Sequence, residues 1–225
     1  METFKTYWQD YWSKKRKAGH RESSRAGLSL CARELLLYFP EKLIKVLELG
    51  CGSGELYGVM KHRFLSYVGV DYSESMLDEF RQEWPDVDVI KSDICELSMP
   101  GKKFDLVFSN AVCQYLDKKQ IKETLDKVYE ILADDGVYLI GSIPDSQLRW
   151  HYYAGALRSD TKPSIRVLCK NSIDFTVRRL SDGIGHWYSR YEFSEFARKS
   201  NYDCKTYSAA CSEYRYHAVL KKRAP

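Results

Sequence analysis

An α/β fold, doubly wound on a mostly parallel sheet, is the architecture this sequence predicts, and three observations carry it. Short β-rich runs alternate with helix-period stretches from residue 44 to residue 143, the rhythm of a parallel sheet with both faces covered. The first β-rich run ends in Gly50-Cys51-Gly52-Ser53-Gly54 before a helix-forming stretch, and an open α/β sheet receives its ligand at such strand ends. The chain is 225 residues long, 44% hydrophobic and 14% aromatic, which suits one sizeable domain and is too apolar for a disordered chain.

Local signals justify each element. Residues 27–38 (GLSLCARELLLY) carry apolar positions at helix period and stop before Pro40. Ile44–Leu49 is the first strand, and Glu55–Arg63 is the helix after the glycine turn. Tyr67–Val70 is the second strand, closed by Asp71; a helix capped by Ser73 then runs to Trp84, where Pro85 stops it. Val87–Ile90 and Phe104–Ser109 are the third and fourth strands. Asp117 caps a helix whose Ile121, Leu125, Val128 and Leu132 share a face. Asp134-Asp135-Gly136 makes a turn into the fifth strand, Val137–Ile143. The Arg-, Tyr- and Trp-rich stretch 145–185 breaks the rhythm. A helix near Ser194–Lys199 follows, then strands near Lys205–Ser208 and Tyr214–Leu220. The chain reads as a single domain over 1–225: N-terminal helical cover (1–40), ligand-binding core (41–144), cap inserted after strand five (145–190), and final helix and strands (191–225).

Composition and charge remove several function classes. No apolar run approaches the ~20 residues that cross a bilayer, and the segment METFKTYWQDYWSKKRK lacks the hydrophobic run of a secretory signal. The seven cysteines are odd in number and form no CxxC pair, so neither a disulfide framework nor a zinc knuckle is expected. No metal-ligand spacing is evident, and the expected reaction is metal-independent. A cytoplasmic protein without a membrane partner is the expectation. The net charge of +4 is too small to argue for nucleic acid, but it is unevenly spread: +4 over residues 1–25, −7 over 26–143 and +7 over 144–225. Basic flanks around an acidic middle can focus a field in the cleft between them.

Acidic residues at the strand ends indicate the ligand. A pyrophosphate on a glycine turn calls for the order GxGxxG and the positive end of a helix. Here Glu48 stands two residues before the turn and Glu55 directly after it. Two carboxylates would repel a pyrophosphate and welcome a cation, so NAD is disfavoured. Asp71, 21 residues after Gly50, is placed to accept from both hydroxyls of a ribose, and Asp93 in VIKSDI could hold an adenine amino group. A ribose, an adenine and a positively charged tail together describe S-adenosylmethionine.

Five segments in order resemble the successive motifs of class I S-adenosylmethionine-dependent methyltransferases: 46–55 (VLELGCGSGE), 67–77 (YVGVDYSESML), 89–95 (VIKSDIC), 104–116 (FDLVFSNAVCQYL) and 131–143 (ILADDGVYLIGSI). The resemblance implies a seven-stranded sheet with its last strand antiparallel, which YRYHAVLKK suits, and S-adenosyl-L-homocysteine as product. It implies that Glu48 and the turn residues Gly50, Cys51, Gly52 and Gly54 meet the methionine end of the cofactor and Asp71 the ribose. Met76 and Ile94 would flank the adenine near Asp93, with Tyr72 and Ser109 among the further contacts. In that family an N-terminal helix frequently covers the cofactor, so Tyr7 and Trp12, at helical spacing with Trp8 and Tyr11, are expected to touch it.

Methyl transfer is an in-line displacement in which the protein mainly positions the partners, and a base matters more for a hydroxyl than for a neutral amine. Family members that methylate exocyclic amines in nucleic acids often carry Asn/Asp-Pro-Pro-aromatic after strand four, whereas this chain has Ser109-Asn110-Ala111-Val112. Nucleic-acid binding would also call for an added RNA-binding domain or a dense basic stripe, and the basic patch Lys14-Lys15-Arg16-Lys17 is short, so nucleic acid is disfavoured as a partner. SNAVCQYL is similar instead to small-molecule methyltransferases, with Asn110, Gln114 and Tyr115 as candidates to meet the acceptor. The cap adds Arg149, Trp150 and Tyr152 directly after strand five, and Trp187 and Tyr188 in the run Gly183-Ile184-Gly185-His186-Trp187-Tyr188. His186, and secondly His151, are candidate general bases, because an imidazole titrates near ~6.5. Arg149, Arg158, Arg178 and Arg179 could clamp a carboxylate or phosphate. The expected activity is methyl transfer to an O or N atom of a small, anionic metabolite or a sugar, by a monomer or homodimer. A protein or RNA methyltransferase, and a catalytically silent cofactor-binding partner subunit, are the alternatives.

Overall fold

The computed structural model describes residues 25–41, 44–153 and 184–223. Helix α1 (Arg25–Leu36) precedes β1 (Ile44–Leu49), α2 (Glu55–Met60) and β2 (Phe64–Asp71). Then follow α3 (Glu74–Glu83), β3 (Asp88–Lys91), β4 (Phe104–Asn110), α4 (Lys118–Ile131) and β5 (Leu132–Pro144). After the short helix α5 (Arg149–Tyr153), α6 (Arg190–Lys199), β6 (Tyr202–Ser208) and β7 (Arg215–Lys222) complete the described chain.

The seven strands form one sheet in the order β3-β2-β1-β4-β5-β7-β6. All neighbours are parallel except β7, which runs antiparallel to both β5 and β6. This is the doubly wound, mostly parallel architecture expected from the sequence. Strand order reverses between β1 and β4, so their carboxyl ends flank the crevice where ligands bind in such sheets. The ladder is in step there: Leu49 lies beside Val70 of β2 and Ser109 of β4.

Alternation along the central strands sorts the core to two faces. Leu106 and Phe108 join Cys31, Leu35, Met60 and Phe80 in the core under α1, α2 and α3, whereas Val107 joins Leu125, Val128 and Phe193 under α4 and α6. Helix α4 has the start its sequence announces. Asp117 Oδ1 accepts from the Gln120 amide and Gln120 Oε1 from the Asp117 amide, each at 2.9 Å, a reciprocal cap of two otherwise orphaned donors.

Two local expectations are corrected. Ser73 does stand before α3, but its hydroxyl makes no cap bond to the helix; it meets Ser75 Oγ at 3.1 Å, while the Ser73 amide donates to Asp71 Oδ1 at 2.9 Å. Residues 134–136 form no separate turn, because β5 begins at Leu132. Leu132 pairs with Phe104 and the ladder resumes at Val137 with Leu106, so residues 133–136 stand against the single Asp105 and are absorbed as an irregularity inside the strand.

Candidate functional site

The glycine turn is shaped for close approach. Gly50, Gly52 and Gly54 have φ of 74°, 54° and 84°. A Cβ on Gly50 would stand 2.4 Å from Val112 Cγ2, so the backbone passes the β4 loop where no side chain fits. Asp71 holds this turn against the start of α3: its Oδ2 accepts from the Gly52 amide and its Oδ1 from the Ser73 amide, both at 2.9 Å. Burial raises the Asp71 carboxyl above its ordinary pKa, opposed by the amide bonds of Ser73, Gly52 and Tyr72.

Glu48 lies under the turn, 2% exposed, and accepts a 2.6 Å bond from the Tyr67 hydroxyl. Burial, against the Tyr67 bond and with help from the charges of Asp71 and Glu55, pushes its pKa up to about 8. Without a cation nearby, this carboxyl is therefore mostly protonated at neutral pH. Cys51 sits in the same acidic setting, its thiol pushed up by burial, then by Glu48 and Asp71. Glu55 is half-buried and its carboxyl raised by burial, then by Glu79 and Glu83 on α3. The turn thus concentrates carboxyl groups that a bound cation would relieve.

The ends of β2, β3 and β4 complete this half of the site. Tyr72 follows Asp71 and has the Tyr115 phenol and the Asp93 carboxyl as its other neighbours, so four predicted residues converge. Asp93 Oδ1 accepts from the Cys95 amide at 2.9 Å and starts the short turn carrying buried Ile94. Met76 is 2% exposed inside α3. Ser109 is buried and lines a small cavity under α4 with Ile94, Val112, Cys113, Thr124 and Tyr138.

On the other side of the sheet's carboxyl edge, the loop before α6 docks on the turn after β4. The His186 amide donates to the Gln114 carbonyl at 2.8 Å. Gly185, with φ of 99°, makes this docking possible, since a Cβ there would lie 2.3 Å from the Gln114 carbonyl oxygen. Gln114 is buried, and its Oε1 accepts from Arg215 Nη1 at 2.8 Å. The same Nη1 donates to the Ser142 carbonyl at 2.6 Å, and Nη2 to the Tyr214 hydroxyl at 3.2 Å. Tyr152, Trp187 and Tyr214 pack as an aromatic trio beside it, with ring centroids 4.5 to 5.6 Å apart.

The structure brings Gln114, Tyr152, Trp187 and the His186 backbone together and separates other candidates from them. Tyr188 is corrected: at 2% exposure it is a core strut whose hydroxyl donates to the Leu116 carbonyl and whose amide donates to the Pro144 carbonyl. Trp150 is 70% exposed, His151 is exposed, and Arg149 is half-buried at the start of α5. Asn110 is buried toward α1, with Cys31 Sγ 3.7 Å from its Oδ1. Tyr7, Trp12, Arg158, Arg178 and Arg179 lie outside the described residues. Arg215 and Tyr214 were not singled out from sequence. The available signal was the basic, aromatic run YRYH at the start of the last strand.

Known proteins resemble this chain in sequence and in fold. Residues 46–136 match a family described as a methyltransferase domain. Trans-aconitate 2-methyltransferase of Escherichia fergusonii is 32% identical over 129 residues, 56% of this chain and 48% of that protein. Malonyl-[acyl-carrier protein] O-methyltransferase of Enterobacter lignolyticus is 26% identical over 145 residues, 62% of this chain and 55% of that protein. The chain therefore spans about half the length of the curated relatives it matches. Among solved structures, magnesium protoporphyrin IX methyltransferase from Synechocystis, with bound SAH, superposes with a TM-score of 0.69 at 13% identity, covering 98% of this chain and 100% of that one. The DhpI–SAH complex superposes with a TM-score of 0.67 at 15% identity, covering 98% and 96%. These likenesses establish the class I methyltransferase fold.

Proposed function

We infer that this chain, a class I methyltransferase domain in fold and in its matched core, is an S-adenosylmethionine-dependent methyltransferase acting on an oxygen of a small carboxylic acid. The observation that carries the acceptor class is Arg215. Its guanidinium sits at the carboxyl end of β5, where Arg215 pairs with Pro144, and is oriented by Gln114, Ser142 and Tyr214 beside an aromatic wall. A guanidinium offers five N–H donors in a fork that matches a carboxylate. The names of the curated relatives, trans-aconitate 2-methyltransferase and malonyl-[acyl-carrier protein] O-methyltransferase, support an acid as acceptor.

The residues of the turn fit the cofactor. The positive φ of Gly50, Gly52 and Gly54 gives the turn a course that other residues rarely take, Asp71 ends β2 where a ribose is received in such sheets, and the raised carboxyl of Glu48 would supply a buried counter-charge for a cationic tail. When bound, S-adenosylmethionine supplies an electrophilic methyl carbon, and S-adenosyl-L-homocysteine is the product. Arg215 would hold one carboxylate of the acceptor and fix its approach, while Tyr152, Trp187 and Tyr214 shield the reacting oxygen from water. An acid arrives ionised, so no side chain need remove a proton. His186 then acts through its backbone, as a tether of the loop to Gln114, instead of as a base.

The test is transfer from methyl-labelled S-adenosylmethionine to a panel of di- and tricarboxylic acids, followed by mild alkali. Label released by alkali as methanol supports ester formation. Alkali-stable label in a small product would replace the acid by an amine or a sugar hydroxyl, and label retained on protein or RNA would overturn the small-molecule reading.

A further inference from the structure

Strand β5 bulges where it meets its antiparallel partner β7. Ile140 pairs with Ala218 and Ile143 with Tyr216, so Gly141 and Ser142 stand together against His217 alone. Ser142 has φ of 56°, a left-handed conformation that residues with a side chain rarely adopt. The peptide between Gly141 and Ser142 is held at both of its polar ends. Its carbonyl accepts from the Ala111 amide after β4 at 3.0 Å, and its N–H donates to His217 Nδ1 at 3.1 Å. The carbonyl of Ser142 comes next along the chain and accepts from Arg215 Nη1 at 2.6 Å. A single residue therefore separates the bond to the imidazole from the bond to the guanidinium.

His217 is 0% exposed, and its neighbours fix which nitrogen accepts. Because Nδ1 takes the Ser142 amide proton, the ring carries its own proton on Nε2. Nε2 lies 3.3 Å from Glu34 Oε1, off the line of a hydrogen bond but within reach of the carboxylate's charge. Glu34 is anchored in turn by the Ala210 amide at 2.6 Å and the Cys211 amide at 3.0 Å. Against burial, these bonds hold its carboxyl below the ordinary pKa, and the resulting carboxylate favours a proton on Nε2. The ligand atoms of Glu34, Cys211 and His217 lie within 4.8 Å of one another, a spacing that a metal could use. A metal on Nε2 needs Nδ1 to be a donor, the reverse of what the Ser142 amide requires.

We propose that His217 is a positioning residue for the acceptor, which holds the β5 bulge in the conformation that aims the Ser142 carbonyl at Arg215. That role rests on Arg215 as the anchor of an acceptor carboxylate and adds the group that sets the anchor. A bulge takes its extra residue out of the ladder, and here the imidazole stands where a strand's carbonyl would accept. Without that nitrogen the buried amide is left unmet, a loss that rotation of the peptide can relieve. Ser142 has an extended conformation to fall back on, because only its surroundings hold it at positive φ. Such a rotation swings its carbonyl off Nη1 and leaves the guanidinium with Gln114 and Tyr214.

The experiment compares His217→Asn, His217→Gln and His217→Leu in the full chain. Asn places its oxygen where Nδ1 stands, Gln reaches on toward the position of Nε2, and Leu offers no acceptor. In the natural protein, nitrogen NMR should show the His217 proton on Nε2 and slow exchange of the Arg215 guanidinium protons. His217→Leu should speed that exchange. It should also raise the KM of the best-used acid in the di- and tricarboxylic panel by about tenfold, with cofactor affinity unchanged. His217→Asn should rescue both properties, and His217→Gln neither. In Arg215→Ala, adding His217→Leu should raise KM no further, a coupling that loss of stability alone does not produce. If His217→Leu does not fold, the contrast between Asn and Gln carries the test. A proton on Nδ1, or guanidinium exchange indifferent to all these replacements, overturns the proposal and leaves the acid reading in place. So does an acid KM that rises in Arg215→Ala but not in His217→Leu. A KM unmoved in both variants overturns the acid reading and this role with it. A thiolate-to-cobalt absorption band on adding Co(II) gives His217 to a metal and overturns the role as well.

Discussion

Replacing Glu48 by Gln keeps the shape beneath the glycine turn and removes its charge. In the ligand-free protein this carboxyl is 2% exposed, and its pKa stands at about 8 instead of 4.5. A cation on the turn favours the ionised form, so cofactor binding must release a proton at any pH below about 8. If the group is fully ionised in the complex, affinity rises roughly tenfold between about pH 6 and 7 and levels off above about 8, with roughly nine-tenths of a proton released at about pH 7. Calorimetry in two buffers of different ionisation enthalpy measures that proton directly. Stability carries the same signature with a definite sign. The folded protein keeps a proton that the unfolded chain loses above pH 4.5, so stability falls as pH rises from 4.5 to about 8. Glu48→Gln can still accept from Tyr67 and escapes this loss, on the order of 3 kcal/mol at about pH 7. It should melt higher than the natural protein at neutral pH, match it near pH 4.5, and bind the cofactor with no pH slope. Heats that do not depend on the buffer, or an unchanged pH slope in Glu48→Gln, would refute the reasoning.

Three further outcomes are expected. Asp71→Asn, which keeps only one oxygen for the backbone donors of Gly52, Tyr72 and Ser73, should weaken cofactor binding by about 1–3 kcal/mol through loss of a charge-assisted hydrogen bond; unchanged affinity in calorimetry would count against its place at the ribose. Gly185→Ala must force a Cβ against the Gln114 carbonyl at 2.3 Å and hold a φ of 99°, so it should cost more than ~1 kcal/mol in melting experiments and raise the acceptor KM by undocking the His186 loop. Arg215→Ala should raise the acceptor KM by about 10- to 100-fold with cofactor affinity unchanged, the equivalent of one charged hydrogen-bonded anchor, and a parallel loss of cofactor binding would place Arg215 elsewhere in the site.

The parts of this protein that were legible in its sequence are those whose chemistry is local. Glycines at a strand end, Asp71 at the end of the next strand and Asp117 with Gln120 at a helix start each carry their meaning within a few residues. The acceptor side is different. Gln114 and Arg215 meet across 101 residues of chain, and only because β7 inserts antiparallel between β5 and β6. No local pattern announces that insertion, so an arginine in a terminal strand reads as surface charge. Tyr188 failed in the opposite direction: an aromatic beside a glycine-rich loop suggests a pocket, whereas Tyr188 N and O bond the main chain of Pro144 and Ser146 and bury the ring. Glu48 shows the deepest limit. Sequence reading counts it as a negative charge that chooses a cationic ligand, yet burial makes it mostly an acid until such a ligand arrives. On the proposed reading, a pyrophosphate would be disfavoured by the ionised fraction of Glu48 and by its neighbours Asp71 and Glu55. A sulfonium would be preferred, on the same reading, because a cation favours the ionised carboxyl and so displaces its proton.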